Sequence, residues 1–245
     1  MYSIFFYLYF LITTPILFTI GFIITLFTCL FDRDRKIVHF YSYFWGLQHY
    51  WVSPWWRINV TGLENVVAGK KYIIMSNHQS MLDICLLYKV PKIFKWISKK
   101  EVVKIPMVGW ALLLHRDVLI TRGDRAGFKK MMKESEDYLS RGVSIIMFPE
   151  GTRTKDGKVH EFKEGGFLLA KTTKTAILPV VINGNFDLQK KNSWQLKRKQ
   201  KFRVNILPEI SETEVATTSA KEMLNKVHSI ILQAHQQLAP EKYTD

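Results

Sequence analysis

Two short segments hold residue types that can move a proton and grip an anion. The first is Ser76-Asn77-His78-Gln79-Ser80-Met81-Leu82-Asp83, which follows an apolar run and reads as a turn opening a helix. Placing His78 in the turn and Asp83 about one helical turn later brings a carboxylate within reach of an imidazole. A carboxylate on one ring nitrogen fixes the tautomer and supports the imidazolium, leaving the other nitrogen to take a proton from a hydroxyl. A helix-capping histidine without chemistry fits the same letters. The second segment is Phe148-Pro149-Glu150-Gly151-Thr152-Arg153-Thr154, again after an apolar run. Gly151 permits a tight turn or a close backbone approach. Thr152 offers a hydroxyl, and Arg153 a planar fork suited to phosphate. Glu150 would repel an anion, so it reads as orienting an arginine or accepting from a substrate hydroxyl. A plain β-turn with a surface ion pair is the alternative.

Elements that position these segments alternate in type from Arg57 onward. Strands are expected at 58–60, 72–75, 93–97, 118–121, 143–148, 176–182 and 202–207. Helices are expected at 80–88, 107–114, 125–140, 165–173 and 212–238. That alternation predicts an α/β domain with a mostly parallel sheet flanked by helices, in which sites gather at the carboxyl ends of strands. Residues 57–238 are read as this domain and 239–245 as a frayed tail.

The chain has 245 residues, 47% of them hydrophobic, which excludes general disorder. Its net charge of +14 lies wholly on residues 32–245, because residues 1–31 hold no Asp, Glu, Lys or Arg. That greasy segment is long enough for a membrane anchor, as one tilted span kinked at Pro15 or as a hairpin of two short helices. Arg33, Arg35 and Lys36 follow it and favour a cytoplasmic catalytic domain. Residues 32–56 are rich in Trp, Tyr and Phe, and Ile37, Tyr41, Phe44, Leu47 and Trp51 keep helical spacing. This predicts an aromatic helix at headgroup level, or else a core helix. Basic runs at 89–104 and 189–203 suit an anionic leaflet.

Several chemistries are not expected. There is no G-x-S-x-G, H-E-x-x-H, C-x-x-C or G-x-G-x-x-G, so neither metal nor nucleotide cofactor is anticipated. Cys29 and Cys85 read as two reduced thiols. Nucleic acid is disfavoured because the aromatics cluster in the greasy end, away from the lysines.

Taken together the blocks resemble the glycerolipid acyltransferases, in particular the 1-acylglycerol-3-phosphate (lysophosphatidate) acyltransferases. Asn77-His78 through Asp83 match the family's N-H-x-x-x-x-D block, and Lys99–Trp110 with Arg122 look like its second. Phe148–Arg153 match F-P-E-G-T-R, Phe162–Gly165 match F-K-x-G, and Leu178–Val181 match a final apolar-Pro-apolar block. Arg116 stands where many members have Gly, and Thr121 where many have an acid. The resemblance implies a membrane-bound enzyme moving an acyl group from acyl-CoA or acyl-carrier protein to the sn-2 hydroxyl of lysophosphatidic acid. His78 and Asp83 would be catalytic, and backbone N–H groups would stabilise the oxyanion. Arg153, Arg122 and Lys163 would hold the phosphate, helped by Thr152 and Gly151, with Asn77 and Glu150 also at the substrate. Glycerol-3-phosphate or another lysolipid is an alternative acceptor. A membrane-tethered thioesterase or lipid hydrolase is an alternative activity.

Overall fold

The structure is a computed structural model that describes residues 1–121, 123–189 and 194–244. Two helices come first, α1 (Tyr2–Thr28) and α2 (Lys36–Trp51). The domain follows as β1 (Trp56–Thr61), β2 (Ile73–Ser76), α3 (Asp83–Leu87), β3 (Phe94–Lys99), α4 (Val108–His115) and β4 (Val118–Ile120). It continues with α5 (Arg125–Ser140), β5 (Ser144–Met147), α6 (Gly165–Thr173), β6 (Ile177–Asn183), β7 (Gln200–Ile206), α7 (Glu212–Thr217) and α8 (Ala220–Leu238).

The strands form one sheet in the order β1-β7-β6-β2-β5-β3-β4, parallel throughout except for the antiparallel β6–β7 pair. The mostly parallel α/β expectation therefore holds. β2 to β6 run one way, and their carboxyl ends open on one side of the sheet. Helices cover both faces, which is why the central strands are apolar without alternation. In β2 the pleat sends Ile74 to the α2–α3 side, with Leu47, Leu86 and Phe94, while Ile73 and Met75 face the α5–α6–α8 side, with Met131, Phe167 and Ile231.

At the amino end, α1 is one continuous helix with Pro15 inside it, so the hairpin broken near Pro15 does not form. The hairpin that does form joins α1 to α2. Phe10 meets His49 at 5.2 Å between ring centroids, and the Tyr41 hydroxyl donates to the Leu17 carbonyl at 2.6 Å. These pairings run antiparallel. Gly21 makes room for the Tyr41 ring, which a Cβ would meet at 3.0 Å. The residues at helical spacing in 37–51 do not share one environment. Leu47 is buried in the domain, Tyr41 packs on α1, and Ile37, Phe44 and Trp51 are exposed.

Two helix boundaries differ from expectation for readable reasons. The helix expected from Ser80 starts at Asp83, because residues 79–82 wrap around that carboxylate. The helix expected over 212–238 divides at Ser219, whose hydroxyl and Glu222 carboxylate form a reciprocal capping box.

Arg116 caps the carboxyl end of α4 in the left-handed conformation, at φ 57° and ψ 48°. A side chain there costs about 1–2 kcal/mol, and glycine's extra unfolded-state freedom costs about 0.5–1 kcal/mol. Arg116→Gly should therefore stabilise the chain by up to about 1 kcal/mol. Urea unfolding in detergent reads this. A lower midpoint would show that the contact of the Arg116 guanidinium with the Arg33 carbonyl, at 3.4 Å, outweighs the strain.

Candidate active site

Where β2 leaves the sheet, Asn77 lends its side chain to the neighbouring strand. Its amide nitrogen donates to the Ile182 carbonyl and its amide oxygen accepts from the Ile182 N–H, both at 2.9 Å. The amide thus replaces a missing ladder rung and fixes where the turn begins. With both groups engaged and only 2% of the residue exposed, Asn77 is a structural strut in place of the expected substrate contact.

The next residue is pinned at both backbone groups. The His78 N–H donates to Glu150 Oε1 at 2.8 Å, and the His78 carbonyl accepts from the Thr154 N–H at 2.9 Å. Its ring lies flat on Phe148, with centroids 3.8 Å apart and planes within 7°. Nδ1 sits 2.9 Å from Asp83 Oδ2. That leaves Nε2 as the ring nitrogen not turned to Asp83, on a ring that lines a cleft.

Asp83 is fully buried, and no Lys or Arg pairs with it among the described residues. Donors replace the counter-ion. Oδ2 accepts from the N–H groups of Gln79 and of Ser80, the latter at 2.7 Å, besides the His78 ring. Oδ1 accepts from Asn185 Nδ2 at 2.8 Å. The Asn185 amide oxygen in turn accepts from the Tyr50 hydroxyl at 3.0 Å. A buried charge held by several N–H donors is fixed in place.

Glu150 neither orients an arginine nor faces a substrate hydroxyl. It is 4% exposed, and its oxygens accept the N–H groups of His78 and of His160, at 2.8 and 3.1 Å. Burial pushes its carboxyl up to about 7, opposed by those two donors. Glu150 thus ties together the two loops that carry the other site residues.

The cleft itself has a volume of about 640 Å³. Ile97, Val108, Leu112, Ile120, Phe128 and Met131 give it apolar walls, and His78, Gly151, Thr152, Arg153 and Lys163 line it as well. Arg153 and Lys163 are exposed and enter no ion pair among the described residues. Gly151 adopts φ 68° in the turn just before Arg153. Gly165 and Gly166 also line the cleft, in the first turn of α6, where N–H groups lack intrahelical partners. Arg122 lies outside the described residues.

The structure thus gathers His78, Asp83, Gly151, Thr152, Arg153 and Lys163 around one cleft. Sequence reasoning missed Gln79, Asn185 and Tyr50. Asn185 follows Gly184, whose φ of +109° turns the chain back under the site, so Asn183-Gly184-Asn185 at a strand end was the available signal.

The acyltransferase family profile matches residues 57–183. The chloroplastic 1-acyl-sn-glycerol-3-phosphate acyltransferase of Arabidopsis thaliana is 38% identical over 160 residues, covering 64% of this chain and 44% of that protein. The 1-acyl-sn-glycerol-3-phosphate acyltransferase of Pseudomonas aeruginosa is 33% identical over 128 residues, covering 52% and 49%. The chain thus spans about half the length of these curated relatives. The crystal structure of the 1-acyl-sn-glycerophosphate acyltransferase of Thermotoga maritima aligns with a TM-score of 0.75 at 30% identity, over 96% of this chain and 94% of that one.

Proposed function

The chain belongs to the acyltransferase family, and from that premise we propose that it moves a fatty acyl group from a thioester to the sn-2 hydroxyl of lysophosphatidic acid, giving phosphatidic acid. One observation carries this reading. A carboxylate-supported imidazole stands at an apolar cleft that also presents Arg153 and Lys163, which enter no ion pair among the described residues. An acyl chain fits the apolar part, and the acceptor phosphate fits Arg153 and Lys163.

His78 Nε2 takes the proton from the acceptor hydroxyl as its oxygen attacks the thioester carbonyl. The developing oxyanion collapses, the C–S bond breaks, and the thiolate leaves with the proton returned from the imidazolium. The substrate is itself the nucleophile, so no acyl-enzyme is needed. The N–H groups of Gly165 and Gly166 are the donors we assign to the oxyanion. Asp83 keeps the ring in its working tautomer.

The test is an assay of purified protein against lysophosphatidic acid, glycerol-3-phosphate and an uncharged lysolipid, with acyl-CoA and acyl-carrier protein as donors. Thiol release that needs no acceptor would identify a hydrolase and end the transferase reading. In the same assay Arg153→Ala should raise the KM for lysophosphatidic acid about tenfold or more while kcat changes less, since a charge-assisted bond to phosphate contributes about 1.5–3 kcal/mol. An unchanged KM would remove Arg153 from the phosphate site.

The same reading places the enzyme in the membrane surface. α1 touches the domain near its start, Phe6 on Trp56 at 5.1 Å, and again through Phe18 on Trp110 at 5.8 Å. A transmembrane path would drag both contact regions into hydrocarbon, so the helix lies along one leaflet. Its outer face exposes Phe5, Leu8, Leu11, Ile12, Ile16 and Ile23, more apolar surface than a water-facing helix carries. The catalytic domain would face the cytoplasm. The protein should stay with sedimented membranes after a wash in about 1 M salt, where exposed charges are screened, and be released by detergent. Release by salt alone would mean that the basic runs hold it.

A further inference from the structure

Residues 239–244 are not a frayed tail. Ala239 is fully buried, Pro240–Lys242 form a 3₁₀ turn, and Tyr243 lies against α8. The Tyr243 hydroxyl accepts from the Val159 N–H at 3.0 Å and sits 2.9 Å from His235 Nδ1. On the other side of the His235 ring, Nε2 accepts from the amide of Gln79 at 3.1 Å. His235 is wholly buried in the last turn of α8, and burial pulls its pKa down to about 4, so the ring carries one proton. With Nε2 accepting, that proton is on Nδ1 and points at Tyr243.

The far end of this chain reaches the chemistry. Gln79 is the residue after His78, and its N–H donates to the same Asp83 oxygen that holds the imidazole. The Gln79 amide oxygen is buried without a partner among the described residues, so His235 is the anchor of that side chain. Val159 precedes His160, whose N–H meets Glu150, and Glu150 in turn holds the His78 N–H. A third tie runs from Lys242 to Asp187, two residues past the Asn185 that donates to Asp83. Residues 242 and 243 with His235 thereby bind the three loops that converge on the catalytic pair.

We propose that His235 and Tyr243 are positioning residues, a clasp that holds the His78–Asp83 turn in working register with the Gly151–Lys163 loop. This rests on the transferase reading above for its rate measurement, but one arm of its test does not. Neither residue touches the cleft, so loosening the clasp disturbs alignment of the base and leaves the binding surfaces in place. Misalignment at a reacting centre falls on kcat.

Tyr243→Phe and His235→Leu in the full chain should each lower kcat about tenfold, with KM for acceptor and donor within about twofold. His235→Gln, whose amide can still meet Gln79, should recover kcat to within about threefold of wild type. Lys226→Met, on the exposed Lys226–Glu214 pair, is the control and should leave kcat unchanged. Deuterium uptake of peptides covering residues 77–83 reads the clasp without turnover and should rise in Tyr243→Phe. The proposal is overturned if uptake there is unchanged and kcat per folded molecule stays at wild type, whatever happens to the melting temperature. An inactive wild type would count against the transferase reading alone, because the uptake arm still decides the clasp.

Discussion

Replacing His78 by alanine should lower kcat by about 10²–10⁴-fold, the range that a positioned general base contributes, while the protein stays folded. The folding half of this expectation comes from the geometry around Asp83. The carboxylate keeps the N–H groups of Gln79 and Ser80 and the amide of Asn185 when the imidazole is gone, so no buried charge is stranded. The backbone of residue 78 also keeps its bonds to Glu150 and Thr154. What disappears is the ring stacked on Phe148 and the proton acceptor beside the cleft. Acyl transfer by the purified variant, together with its melting temperature and far-UV spectrum, measures both halves. A folded variant within tenfold of wild type would mean that His78 is not the base.

The His78–Asp83 pair was legible because its members lie five residues apart, and the same locality explains what else could be read. The apolar runs that became β2, β5 and β6 lie close to where their composition put them. α5 and α6 fall at the expected 125–140 and 165–173, since each is bounded by a plain start and stop. Asp124, for instance, caps α5 through the N–H groups of Ala126 and Gly127. Roles that depend on distant chain were not legible. Glu150 looked like a ligand residue by its neighbours, yet its partners are the backbone of His78, 72 residues earlier, and of His160. Asn77 looked like part of the site by its place in the block, yet it completes a strand 105 residues later. Local pattern encodes which groups exist and roughly where they stand on an element. Which of them face substrate and which brace another loop is decided by the order of the strands, because adjacent carboxyl ends set which loops meet. The order β6-β2-β5 puts Asn185, His78 and Glu150 side by side, and no run of letters states it.

Asp83→Asn should cost nearly as much as loss of the base, about 10²–10⁴-fold in kcat, with stability lowered by about 1–3 kcal/mol. An amide in place of the carboxylate has one acceptor where the site has two. Its oxygen can keep the His78 ring and the N–H groups of Gln79 and Ser80, and its NH₂ then confronts the Asn185 Nδ2 donor. Relief requires the Asn185 amide to turn over, which puts its NH₂ against the Tyr50 hydroxyl; that hydroxyl can swing its proton to the Leu82 carbonyl, 2.9 Å away, and accept. The variant therefore has a route to the folded state but has lost the negative charge that stabilises an imidazolium. The informative comparison is the double variant His78→Ala/Asp83→Asn. If the carboxylate serves only through the imidazole, removing it after His78 is gone should cost kcat almost nothing, and the two losses should be far from additive. Losses that multiply would give Asp83 a second, independent task, such as holding the 79–82 turn against the acceptor. Measuring kcat for the two single variants and the double one separates these cases, because a shared task and two independent tasks differ by orders of magnitude in the double variant.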